Sequence, residues 1–291
     1  MNPEFISFLD QIESIKAGLE AKGSTVWFRG ISQSAYNLST TLQREVNKLT
    51  EGISVSDEER NSLLRQYGKL IYWKFQSYAR SLLNSQENTK YGILFRMRHH
   101  GIPCNIMDWT ESLTCALHFA QRAWKPDQEA AIYILDPQAL NGFALNRSEI
   151  ACIDDEGLGN FPSRLWHPVS IESMNLPTVA VLPYHSNPRT IAQRAMFTLN
   201  GSSLLPLEDQ FDGKLVKENV LMKILLPSSI CESVRRYLRL SGVDEFNYFP
   251  DFEGLSHKIL LDLDNERETT RKQFPHLFSK GNTGADSGNK A

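Results

Sequence analysis

The chain has 291 residues, 41% of them hydrophobic and 10% aromatic, enough for one large domain or two small ones around a sizeable core. Its formal net charge of −3 lacks the basic excess that DNA and RNA binders carry, and four scattered cysteines with no CxxC pair exclude a disulfide scaffold. No stretch approaches the roughly 18–20 apolar residues of a membrane helix, and an acid stands near the N-terminus where a signal peptide is basic, so a cytoplasmic protein is expected.

In chain order, residues 4–20 carry Phe5, Phe8, Leu9, Ile12, Ile15 and Leu19 at three- and four-residue spacing, which predicts a helix. The β-branched and aromatic run Ser24-Thr-Val-Trp-Phe-Arg-Gly30 predicts the first core strand. Helices are expected over 42–49 and from Ser56 to about 83, the latter opened by a capping box of Ser56 and Glu59, with an interruption near Gly68. A further helix over 90–99 ends at Gly101 and Pro103. A short extended piece, 104–107, leads to a turn at Asp108-Trp109-Thr110, and Thr110 is placed to cap a helix beginning at Glu111.

Strands are expected over 130–135, 179–183 and 220–226, with strand or strand-plus-turn over 193–198. Residues 136–176 read as irregular with two short helices. Helices follow over 230–240 and 252–263. Helices dominate the first third and strands cluster after residue 100 without regular crossover helices, so the expected fold class is α+β, a helical N-terminal portion packed on a mixed or antiparallel β core. A single globular domain is expected over 1–278. The Gly-, Asn-, Asp-, Ser- and Lys-rich tail 279–291 is expected to be disordered.

Three polar clusters interrupt the apolar pattern: Phe28-Arg29-Gly30; His99 to Ser112 with the following Ala116-Leu-His-Phe-Ala120; and Asn187-Pro-Arg-Thr-Ile-Ala-Gln193 with Ala195-Met-Phe-Thr198. Arg29 ends a strand beside Gly30, a residue that admits a ligand or another backbone closely. It reads either as an anion-binding group or as half of a buried ion pair with Asp108. Asp108 is a candidate general base or a residue that holds the site together. Trp109 either stacks on a ligand ring or belongs to the core.

His99 and His100 point about 100° apart on a helix, and His100, next to the Gly101 turn, is the expected site histidine. Glu111 is either a helix-terminal charge or the acid nearest the cluster. Arg189 follows a turn signal, and Gln193 can bridge main-chain groups or read a carboxamide. The histidines are scattered without metal-ligand spacing, so no metal site is expected.

The order of these clusters, with Phe249-Pro-Asp-Phe-Glu-Gly-Leu255, resembles the FRG domain family from about residue 20 to 262. Cys104 and Asn105 stand where that pattern has threonine and arginine, and Ala195 where it has glycine. The loss of a planar bidentate donor at 105 points to an altered activity or target.

A looser resemblance, to ADP-ribosyltransferases of the arginine–serine–glutamate kind, implies an ADP-ribosyltransferase-like fold and NAD as a possible substrate. It implies that Arg29 contacts the NAD phosphates or ribose, that Asp108, Trp109 and Thr110 replace the Ser-Thr-Ser turn, and that the third role falls near Gln193, which is not an acid. The expected function is therefore an NAD-dependent, ADP-ribosyltransferase-like glycosyltransferase or an NAD glycohydrolase. The alternatives are a non-catalytic nucleotide-binding or sensor module, or a nucleic-acid or protein interaction module. The expected partner is a nucleotide or other phosphate-bearing small molecule, with catalytic roles for Asp108, Gln193 and Glu111 and ligand contacts from Arg29, Gly30, His100, Trp109, Thr110 and Arg189.

Overall fold

The structure is a computed structural model and describes residues 2–83, 88–152, 176–183 and 187–275. The expected tail from 279 and residues 153–175 of the expected irregular stretch lie outside the described residues. The described chain falls into two compact units, Met1–Gly242 and Val243 onward. The first unit is α+β.

Helix α1 (Pro3–Glu20) starts where the Asn2 side chain accepts from Glu4 N, and it buries Phe5, Phe8, Ile12 and Leu19, the expected apolar stripe. Helix α2 (Thr41–Leu49) has a capping box of Thr40 and Gln43. Helix α3 (Asp57–Ala79) opens on the expected capping box of Ser56 and Glu59. It runs unbroken through Gly68, which corrects the expected interruption: one glycine costs a helix only about 1 kcal/mol. Helix α4 (Lys90–His99) is capped by Thr89.

The sheet has seven strands among the described residues, in the order β4-β5-β6-β2-β1-β3-β7. They are β1 (Trp27–Ile31), β2 (Ile106–Thr110), β3 (Ala130–Leu135), β4 (Ala151–Cys152), β5 (Val179–Leu182), β6 (Ala195–Leu199) and β7 (Leu221–Leu226). Every pairing is antiparallel except β4 with β5. β1 pairs with β3 over its whole length, and β2 does so with β6. β1 and β2 meet only where Phe28 stands opposite Thr110. From that point the sheet's two halves part, and the parting opens the cavity described below.

Asp108, Trp109 and Thr110 belong to β2, opposite Phe197, Met196 and Ala195 of β6, and not to a turn. Pairing with β6 at all three positions, and with β1 at Thr110, overrides a locally turn-like sequence. The cap of helix α5 (Leu113–Gln121) is accordingly Ser112, whose Oγ accepts from Cys115 N at 3.3 Å, and not Thr110. Side chains alternate across β2. Ile106 joins Ile93, Leu94 and Met97 of α4 in one core cluster, whereas Met107 and Trp109 join Trp27, Tyr133 and Leu140 in another. Leu140 lies in α6 (Pro137–Leu145). A third, smaller cluster of Leu42, Val46 and Leu64 joins α2 to α3.

The second unit contains the short helix Glu245–Tyr248 and a long helix, Phe252–Gln273. The long helix extends ten residues beyond the expected end at 263, on a segment whose exposed faces are mostly charged. No helix among the described residues is long and apolar enough to cross a membrane.

Candidate functional site

Where β1 and β2 part, a cavity of about 970 Å³ opens, lined by both strands, by the loop after β1, by α2, α4 and α5, and by the short helix Pro188–Ala192 with the start of β6. Among the described residues four guanidinium side chains line it, Arg29, Arg44, Arg98 and Arg189, against a single carboxylate, Asp108. Tyr36, Phe95, Phe119 and Phe197 give it aromatic wall.

Asp108 anchors the charged cluster. Arg98 binds its Oδ2 with Nε at 2.7 Å and with Nη2. Arg29 Nη1 donates to the Asp108 carbonyl at 2.5 Å and lies 3.9 Å from Oδ2. This arginine bridges β1 to β2 just where their backbone ladder stops. Burial alone would raise the Asp108 carboxyl, but the Arg98 and Arg29 guanidiniums override it and hold the carboxyl below its usual value. The Asp108 charge raises Arg98 in return. Burial lowers Arg29 to about 10, which Asp108 partly offsets, so Arg29 remains charged at neutral pH. Its Nε is buried with no protein partner.

Arg44 donates to the Ser39 carbonyl at 2.6 Å, and burial together with the neighbouring Arg98 charge lowers its pKa. Two guanidiniums that oppose one another gain from an anion placed near both. Of the residues singled out in the sequence, Arg29, Gly30, Asp108, Trp109, Thr110, Arg189 and Gln193 all line the cavity.

Their structural work is also visible. Trp109 Nε1 donates to Thr198 Oγ1 at 3.2 Å and the ring is buried. Thr110 Oγ1 donates to the Gln193 carbonyl at 2.6 Å and accepts from Ser112 N at 2.9 Å, tying β2 to the end of the Pro188–Ala192 helix. A Cβ on Gly30 would sit 1.8 Å from the Ala116 carbonyl oxygen. The close approach there is the backbone of α5.

Two of the expected site residues do not line this cavity. His99, and not His100, lines the cavity. His100 is the exposed C-cap of α4, followed by Gly101 at φ +72°. Glu111 is not a lining residue and faces Arg194 at 3.5 Å.

Sequence reasoning missed Arg98 and Arg44. Tyr91, Leu94 and Arg98 fall on one stripe of α4 at three- and four-residue spacing, so a charge on the buried face was the available signal for Arg98. Burial raises the Cys115 thiol, which lines the cavity, to about 12, and Cys104 to about 11. Neither is a thiolate at neutral pH.

No curated protein and no solved structure matches this chain. The model of the FRG domain family matches residues 24–129, a span that holds β1, α2, α4, β2 and α5 and therefore Arg29, Arg44, Arg98 and Asp108. Over residues 24–129 the chain belongs to the FRG domain family.

Proposed function

We propose that the cavity binds a phosphate-bearing nucleotide, with NAD as the first candidate. The observation that carries this is the charge of the lining, four guanidiniums against one carboxylate that Arg98 already engages. Like charges gathered around one carboxylate favour a bound anion, and a phosphate matches the planar donors of arginine. The aromatic walls offer faces on which a base can stack.

Binding without turnover is the form the site supports best. Cleavage of the nicotinamide bond requires electrostatic support for an oxocarbenium-like centre. Asp108 is the sole carboxylate lining the cavity among the described residues; Arg98 hydrogen-bonds it and Arg29 stands 3.9 Å from it. The transferase or glycohydrolase reading requires the ligand to draw Arg98 or Arg29 away and leave Asp108 facing the sugar.

Calorimetric titration of the chain with NAD, ADP-ribose and AMP tests both readings. Saturable binding is expected, weakened about tenfold or more in Arg29→Ala, the loss of one charge-assisted contact. Absence of binding by all three at about 1 mM, the edge of useful affinity, rejects the nucleotide site. Nicotinamide release that disappears in Asp108→Asn establishes the enzymatic reading in place of the binding one.

A further inference from the structure

A second hollow, of about 440 Å³, adjoins the main cavity. Asn37, Ser39 and Arg44 line both, so the two meet at the Arg44 side chain. The second hollow is also basic. Arg44 and Lys48 stand one turn apart on the same face of α2, and Arg60 enters from the start of α3. Among the described residues Glu51 is its single lining carboxylate. Arg60 Nη2 donates to Asn47 Oδ1 at 2.8 Å, which fixes the guanidinium, while its Nε is buried with no protein partner. Lys48 contacts Glu45 at 2.9 Å but remains largely exposed.

We propose that the ligand extends past Arg44 into this second hollow, so that the recognised form is a nucleotide with a second phosphate-bearing unit, of dinucleotide length or longer. The inference rests on the nucleotide reading above and deepens it. A mononucleotide engages Arg29, Arg98 and Arg44 only. A second unit places its phosphate against Lys48 and Arg60, while Arg44 serves the link between the two. The groove then joins a chamber with aromatic walls to a basic track, the pairing that holds single-stranded nucleotide chains.

The test compares ADP with the 5′-phosphorylated diadenylate pApA in calorimetric titrations of the full chain. The two carry comparable charge and differ in reach, so any preference reports length. We expect pApA to bind about tenfold tighter than ADP, the worth of one added charge-assisted contact. In Lys48→Ala and Arg60→Ala the pApA-to-ADP ratio should fall toward one. Lys48 is exposed, which keeps that variant informative if Arg60→Ala fails to fold.

Equal affinities for ADP and pApA, or a ratio that both variants leave intact, overturn the extended site while mononucleotide binding stands. Failure of both probes to bind removes the nucleotide reading and this inference with it.

Discussion

Asp108 holds two arginines from two different elements in place, and that arrangement sets what removing it does. In Asp108→Asn, Arg98 and Arg29 keep their burial and lose their counter-charge. Leaving a buried partner unpaired is destabilising. The carboxylate is about a third exposed to the cavity, so we expect a loss of about 1–3 kcal/mol in urea unfolding at pH 7 rather than the full cost of a dry pair. The folded-state pKa is depressed, so this contribution is complete above the unfolded value of about 4. It is lost as pH falls below that value through the folded one. The gap between wild type and Asp108→Asn should therefore close in acid, and a gap that stays constant from pH 7 down to pH 3 counts against a charged Asp108. The Arg29–Asp108 meeting was legible in the sequence, because a cation and an acid at the ends of apolar segments must find partners. Arg98 hid within a run of basic residues, since composition does not say which member of Arg96, Arg98, His99 and His100 faces inward; that depends on the phase of α4 against β2.

Local chemistry made some elements readable and tertiary pairing made others. Helix α3 was readable from Ser56, Glu59 and a 3.6-residue apolar repeat, all carried by the segment itself. The last three residues of β2 were not, because Asp108-Trp109-Thr110 is a strand on account of β6 and β1 beside it. Gly30 lies between these cases. Its presence at a strand end signalled a close approach, but only the packing of α5 on β1 shows that the approaching group is the Ala116 carbonyl. Neither strand nor helix backbone can give way by the amount needed, since β1 is paired to β3 along its whole length and α5 is anchored by buried Cys115, Leu117 and Ala120. Gly30→Ala should therefore cost at least about 2–3 kcal/mol, the upper range for overpacking, and lower ligand affinity by displacing Arg29. A variant as stable as wild type in thermal unfolding would mean that β1 and α5 separate more freely than their packing implies.

The molecule as a whole carries charge of the opposite sign to its cavity, a net −3 against a lining with three more cations than anions. Anion recognition is thus a property of the cavity and not of the overall field, and the parts that build the cavity are confined to one stretch of chain. Every lining residue lies between Phe28 and Phe197. All members of the three hydrophobic clusters named above lie between Trp27 and Leu221. Both spans fall inside the compact unit Met1–Gly242, whose length is ample for a self-sufficient core. A chain ending at Gly242 should therefore unfold in one cooperative transition and bind AMP within about twofold of the full chain, well under the tenfold that 1.4 kcal/mol represents. Circular-dichroism melting and the AMP titration supply the two readouts. A fragment that melts without a cooperative transition would show that the residues after Gly242 are required for the first unit to fold. A fragment that folds but loses AMP would instead assign those residues a part in binding, and only the combination of cooperative melting with retained affinity is compatible with a site built wholly within the first unit.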